Sequence, residues 1–504
     1  MPQPPEANRE RRERLYAQLV EEYKARFAKS AAFHANATAR LIDGGSHGLR
    51  LFPPFPFWVN ATRGSRVYDL DGHAILDFWQ GHYSALREGR GLQSGMQDIW
   101  EWELADILCR QLGAERVRFT SSGTLSTMNA ILLSRSYTGR TKVLKVGGGW
   151  HGGHPWGLKG VHYGPQGYQA VETEGLPSNL TQDVLITRFN DPEALEDTFR
   201  QQGDQIACFI VEPWLGSGGG IPATPEFLRT ARDLTTRYGA LLILDEVIAG
   251  FRFRAGNLGA LYGIQPDLTT LGKVVGGGMP VAAVAGRADV LNLTTQKGRK
   301  VVFDGGTYSA HPLSMLAGRL MIEYLVRHEK EVYSQLADVG ARFRQTAQRI
   351  FDEEGLLVRM TGEPIAVIPG SSLAYINFPY SSDLPLDRPE ALNDPALSDI
   401  DLRDRVIKIA FLLEDVFTVH GAWALSTAHS DEDLAQVAEA TRAVARRLRA
   451  AGWAQAIQWR AWAHQKNQIR EGERQWSHSD HAWRYLSRSW RSSIGFSLIR
   501  ETRW

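Results

Sequence analysis

From about residue 100 the chain alternates apolar runs with amphipathic ones, and this pattern limits the fold more than any other feature. "QIACFIVEP" (205–213) and "ALLILDEV" (240–247) are nearly unbroken apolar stretches. Strands read this way when both of their faces are buried. "RVRFT" (116–120) and "TKVLKV" (141–146) read as further strands. Helical runs lie between them: "EWELADILCRQLG" (101–113), "GTLSTMNAILLSRSYTG" (123–139) and "TPEFLRTARDLTTRYG" (224–239). The last opens on a Thr-Pro pair and closes on Gly239, as helices prefer. Strands separated by helices imply βαβ units, so the expected class is α/β with a mainly parallel sheet.

After about residue 318 the pattern changes to long helices and short strands such as "SLAYINF", which reads as a smaller α+β domain. Before the alternation, residues 8–42 place Leu15, Leu19, Tyr23 and Phe27 four apart, the spacing of an amphipathic helix. "LFPPFPFWV" (51–59) is extended because of its prolines. "RVYDLDGHAILDF" (66–78) reads as two strands around an Asp71-Gly72 turn. The expected division is 1–65 for the N-terminal segment, 66–318 for the large domain, 319–450 for the small domain and 451–504 for a tail rich in Trp and Arg.

A chain of 504 residues with 43% apolar and 22% charged residues is ordinary for a globular protein. The net charge of +1 gives no field that would favour nucleic acid or an acidic membrane. Two cysteines, Cys109 and Cys208, cannot build a disulfide framework. No run approaches the length of a membrane span, and the first residues lack the apolar core of a secretory signal. The expected location is the cytoplasm.

Four stretches fall where strands end, which is where parallel α/β sheets bind ligands. "TSSGTLSTMNA" sets Ser121, Ser122, Gly123 and Thr124 before a helix, suited either to a phosphate or to a plain Ser/Thr cap. "LILDEVIAGF" ends an apolar strand in Asp245 and Glu246. Buried carboxylates need a positive or hydrogen-bonding partner, such as a protonated ring nitrogen or Arg252. "GGGWHGGHPWG" offers Trp150 to stack on a flat ring and His151 to bond a carboxylate. His151 and His154 lack a third ligand in a metal-site frame, so no metal is expected. "TLGKVVGGGMP" isolates Lys273 before Gly276, Gly277 and Gly278. A lysine in special surroundings can form a Schiff base, and the glycines would clear space for what it carries. An anion cradle, an aromatic stacker, a buried carboxylate and a reactive lysine together specify pyridoxal phosphate.

These motifs resemble the class III pyridoxal-phosphate aminotransferases, in the glutamate-1-semialdehyde aminomutase-like branch. "LILDEVIAGFRF…PDLTTLGKVVGGGMPVAAVAGR" fits that pattern, including the 28-residue step from Asp245 to Lys273. "RFTSSGT", "VEPWLGSGGGIP", "GTYSAHPLSMLAG" and "ALSTAHSDEDL" follow in the family's order, with coverage from about residue 35 to 445. The resemblance implies fold type I and a homodimer with a shared active site. It implies that Lys273 holds the cofactor as a Schiff base and that Asp245 pairs with the ring nitrogen. Val247 and Trp150 would cover the two ring faces, with Glu212 and His151 near the cofactor. Ser122, Gly123 and Thr124 would hold the phosphate, joined by Thr307 toward the neighbouring subunit.

The departures concern the substrate. Where the aminomutase has a glutamate before "STAH", this chain has Gly421. The family's "SGTEA" is "SGTLS" here. The leading expectation is an aminotransferase that moves an amino group between small-molecule amine and carbonyl substrates in two alternating half-reactions. An aminomutase acting within one molecule and a non-catalytic homologue are the competing readings. Arg50 is a candidate for a substrate carboxylate.

Overall fold

The computed structural model describes residues 6–37, 52–63, 65–78, 99–294, 300–303 and 308–453. Its centre is a seven-stranded sheet. We number the strands β1 (Arg116–Thr120), β2 (Lys142–Val146), β3 (Val184–Thr187), β4 (Ile206–Val211), β5 (Leu241–Asp245), β6 (Leu268–Leu271) and β7 (Ala282–Gly286). Their spatial order is β1-β7-β6-β5-β4-β2-β3. Neighbours from β6 to β3 pair in parallel, while β7 is antiparallel to both β6 and β1. β1 therefore runs the same way as the parallel five, and six strands end at one edge.

The apolar runs are buried on both faces, as their composition predicts. In β5, Leu241 and Ile243 pack toward the core that contains Ala130, Ile131 and Leu133 of the helix Gly123–Thr138. Leu242 and Leu244 pack in the opposite core, with Phe227, Leu228, Ala231 and Leu234 of the helix Pro225–Tyr238. That helix starts at Thr224, whose side chain accepts the Phe227 N–H, and stops at Gly239 with φ +66. A third cluster joins the helices Ile99–Leu112 and Pro312–Arg327 around Phe119, Leu271 and Val275.

The helix expected over 8–42 is two, Glu6–Arg26 and Ala28–Ala37. The break has a partner: Asp71 takes the backbone N–H groups of Lys29 and Ser30 at 2.7 and 3.0 Å. Asp71 itself lies in the predicted hairpin, whose strands Arg66–Asp69 and Ala74–Asp77 pair antiparallel. Residues 66–78, grouped by sequence with the large domain, pack with the C-terminal half. Leu76 pairs in parallel with Val416, and Phe78 stacks on His429 at 4.2 Å. Leu19, Tyr23, Ile75 and Phe78 share one core with Phe343, Phe411 and Trp423. No helix among the described residues is long and apolar enough to cross a membrane.

Candidate active site

The strand ends that share one edge bring the four motifs together. Asp245 closes β5 and is 3% exposed. Its Oδ1 accepts the Thr270 hydroxyl at 2.9 Å and the Val247 N–H at 3.2 Å. Its Oδ2 lies 2.7 Å from Nδ1 of the fully buried His151. Burial pushes the His151 imidazole below its ordinary pKa, against the pull of Asp245. Nε2 of the same ring is buried with no partner among the described residues. The ring therefore orients the carboxylate through one nitrogen and leaves the other free.

Glu212 follows β4. It accepts the Trp150 N–H at 3.0 Å and the Gly216 N–H at 3.1 Å. Burial, with Asp245 nearby, raises its carboxyl to about 8. The loop after β2 is thus tied to two neighbouring strand ends, by Trp150 to Glu212 and by His151 to Asp245. Trp150 as a residue is 39% exposed, as a wall would be.

Glycines make the junctions between loops. A Cβ on Gly123 would lie 2.9 Å from Val247 Cγ1, and one on Gly272 would lie 3.2 Å from the same atom. Gly152, at φ +97, passes so close to the helix start that a Cβ would come 2.6 Å from Thr124 Cα. Ser122 is the N-cap of Gly123–Thr138, its hydroxyl accepting the Leu125 N–H at 3.3 Å. Thr124 Oγ1 accepts the Gly153 N–H at 3.2 Å. The first N–H groups of a helix have no intrahelical acceptor, so those of Gly123 and Thr124 are available to an anion.

Lys273 opens the short helical turn Lys273–Gly276 and is a non-glycine residue with φ +49. Among the described residues its amine has no hydrogen-bond or carboxylate partner. The residue is open to the site, yet enough protein surrounds the amine for burial to lower its pKa. Asp245 and Glu212 oppose that shift and Arg252 reinforces it. The result is an amine biased toward its neutral, nucleophilic form.

The three glycines after it have a different role from the one expected. A Cβ on Gly277 would meet the Ala317 carbonyl at 2.6 Å, and one on Gly276 would meet the Val281 N at 3.3 Å. Gly277 and Gly278 also hold φ +55 and +94. They let the lysine's turn dock on the helix Pro312–Arg327. Clearance near the site comes instead from Gly123 and Gly272.

Glu246 turns away from the site. Its carboxylate accepts the Leu258 and Gly259 N–H groups at 2.6 and 2.9 Å and staples the loop after β5. It makes no ion pair with Arg252. His154 lies 3.2 Å from the Thr127 hydroxyl, and burial drops it to about 4, so it is neutral. No group of three His, Cys, Asp or Glu that could hold a metal converges among the described residues.

Sequence reasoning missed Lys145. It sits in β2, wholly buried, and its ammonium donates to the carbonyls of Gly149, Gly157 and Lys159 at 2.9, 2.9 and 2.8 Å. The signal was present as the one charge between apolar neighbours in "KVLKV". Thr307 and Arg50 lie outside the described residues.

A group with an aldehyde, an anionic tail and a basic ring nitrogen fits this set. Lys273 meets the first, the N–H groups of Gly123 and Thr124 the second and Asp245 the third. The comparisons agree. The family model for class-III aminotransferases matches residues 96–368. A glutamate-1-semialdehyde 2,1-aminomutase from Methanobrevibacter smithii is 35% identical over 421 residues, which cover 80% of this chain and 94% of that protein. An omega-transaminase from Sphaerobacter thermophilus superposes with a TM-score of 0.74 at 28% identity, covering 83% of this chain and 98% of that one. A transaminase with PLP bound gives a TM-score of 0.72, also at 28% identity, over 85% of this chain and 99% of that one. The chain belongs to the class-III aminotransferases, enzymes of fold type I that use pyridoxal phosphate.

Proposed function

We propose that this enzyme is an aminotransferase working in two half-reactions on separate small molecules. An amine or amino acid leaves its nitrogen with the enzyme, and a keto acid or aldehyde then collects it. Bound pyridoxal phosphate supplies the aldehyde and the electron-withdrawing ring that make this chemistry accessible. Lys273 holds the aldehyde, yields to the incoming amine and then moves a proton as a free base. Its depressed pKa supports that role, because a neutral amine is needed at each step. Asp245, set by His151 and Thr270, holds the ring nitrogen protonated. Val247 and Trp150 flank the ring, Glu212 fixes Trp150, and Ser122, Gly123 and Thr124 form the phosphate cradle. Thr307 keeps the role that the resemblance implies, Arg50 remains a second candidate for a substrate carboxylate on the strength of its bidentate fork, and a cytoplasmic homodimer belongs to the same reading.

The observation that carries an aminotransferase over an aminomutase is Gly421. It stands where the resemblance gives the aminomutase a glutamate. Gly421 has φ +67, and a Cβ there would lie 2.6 Å from the Ile376 carbonyl and 2.8 Å from Arg403 Cγ. The position has no room for an acid. The curated relatives named as aminomutases favour the second reading, intramolecular transfer.

The test is an absorbance titration of the pyridoxal-phosphate-loaded enzyme. A panel of amine donors is added first, without an acceptor, and keto acids follow. We expect a donor to convert the cofactor to its amine form and an acceptor to restore it. Steady product formation from glutamate-1-semialdehyde with no external acceptor would reverse the assignment.

A further inference from the structure

Arg252 stands on an uncommon piece of backbone. Phe251 before it is a non-glycine residue at φ +57. Left-handed backbone is costly for a bulky residue and persists where neighbours hold it. Here the Phe251 N–H donates to the Gly256 carbonyl at 2.9 Å, and the Tyr333 hydroxyl donates to the Phe251 carbonyl at 2.9 Å. The Phe251 ring is buried in one cluster with Leu271 and Val275, which bracket Lys273. Arg252 therefore leaves the chain beside the lysine's own turn. Its Nε donates to the Ile248 carbonyl at 2.9 Å. Ile248 packs against Gly216, where a Cβ would lie 2.4 Å from Ile248 Cδ1, and Gly216 donates its N–H to Glu212. The guanidinium is thus anchored on the Glu212 side of the site.

The rest of that guanidinium is unused. Among the described residues, neither terminal nitrogen has an acceptor, and no carboxylate lies within ion-pair distance. Two other arginines of the interior use their terminal nitrogens. Arg344 donates to the carbonyls of Ser371 and Leu373. Arg403 meets the Leu392 carbonyl, Asn393 and Asp404. Arginine does not give up its proton in a protein, so a half-buried guanidinium whose terminal nitrogens face open space is ready for an anion. The titratable groups around it are Tyr375, Tyr333 and Lys273, none of which is an anion at neutral pH. The free edge between the two terminal nitrogens of the planar fork matches one carboxylate.

We propose that Arg252 binds the carboxylate of the substrate while Lys273 serves its amine-bearing carbon, so that this residue selects carboxylate-bearing donors and acceptors. The amine half of this statement rests on the aminotransferase reading, but carboxylate binding does not.

The test compares the pyridoxal-phosphate-loaded wild type with Arg252→Met and Arg252→Lys. Butyrate, a carboxylate without an amine, is titrated while the cofactor's absorption band is followed. The wild type should respond saturably. Arg252→Met should weaken butyrate about tenfold or more and Arg252→Lys by less, with pyridoxal phosphate affinity unchanged in both. Each accepted amino acid is then compared with the amine that lacks only its carboxylate. The first should need about tenfold more to half-saturate Arg252→Met, and the second should not shift. A wild type indifferent to butyrate, or equal weakening of both members of a pair, overturns the proposal. Failure of the aminotransferase reading would look different: no acceptor-dependent turnover, with the butyrate response intact.

Discussion

Two lysines stand at the ends of β2 and β6, and burial pushes both below the ordinary lysine value. Lys145, brought to about 7, spends its three N–H groups on three carbonyls of the loop 149–159. Lys273 spends none among the described residues, and stands on a left-handed backbone in a turn packed by glycines. A buried cation with a full set of acceptors is a structural rivet. The same group left without acceptors among the described residues is suited to act as a reagent, because no carbonyl or carboxylate there claims its proton. The two loops also depend on each other. Lys145 shapes the segment that carries Trp150 and His151, and His151 bonds the carboxylate of Asp245, which the proposed function pairs with Lys273.

The largest expected effect separates the two roles. Lys273→Ala should lower turnover by about 10⁴-fold, the upper range for a positioned proton-transfer group. Unfolding by urea should show no loss of stability, since no hydrogen bond is removed. A marked drop in stability would make Lys273 a second rivet and dissolve the contrast. Asp245→Asn should come next. Its Oδ1 bonds to Thr270 and Val247 survive, so pyridoxal phosphate should still bind, while the rate falls by about 10²–10³-fold as a preorganised charge is lost. A rate within a few-fold of wild type would remove Asp245 from the chemistry.

Lys145→Met reverses the pattern. Three interior carbonyls lose their donor, and each unsatisfied group costs about 1–3 kcal/mol. After relaxation of the loop, we expect a loss of about 3 kcal/mol in urea unfolding of the apoprotein, with faster proteolysis within 147–159. Turnover should fall less than in Lys273→Ala, through weaker cofactor binding. Unchanged stability would mean that the carbonyls find water easily and that the ammonium is no rivet.

How much of this was legible beforehand follows the range of the forces involved. The strands of the large sheet were legible because their burial is written as local apolar runs, and β5 alternates Leu241 and Ile243 against Leu242 and Leu244. The convergence of Lys273, Asp245, Gly123 and His151 was legible because every motif sits at a strand end. Contacts set by distant residues were not. Gly277 answers to the Ala317 carbonyl, forty positions on, so its proximity to Lys273 misled. The hairpin at 66–77 answers to Val416, and nothing in its own sequence names that partner. Glu246 reads like Asp245 in the sequence, but Leu258 and Gly259 claim it. Lys145 could have been found, since a single charge inside a two-face-buried strand requires internal acceptors.

The smallest effect concerns the carboxylate between the two lysines. Glu212 is raised by burial to about 8, from an ordinary value near 4.5. Between those values the folded state keeps a proton that the unfolded chain releases. Stability from this group should therefore decline as pH rises from about 5 to about 8, by at most about 1.4 kcal/mol per pH unit. Lys145 acts in the next window. Its folded value near 7 lies below the unfolded 10.5, so the unfolded chain binds the extra proton and stability should rise above about pH 7. Wild-type apoprotein should thus show a shallow minimum near pH 7 to 8 when urea unfolding is repeated across pH. Glu212→Gln keeps an oxygen to accept one N–H, cannot titrate, and should reduce the acidic limb to the part contributed by Glu246, which burial raises to about 7. Lys145→Met should reduce the alkaline limb to the part left by Lys273, which burial also lowers. If Glu212→Gln leaves the acidic limb undiminished, Glu212 is ionised in the folded protein. It would then be paired through the field of Lys145 and Lys273, and the two lysines would be one electrostatic unit instead of two contrasting sites.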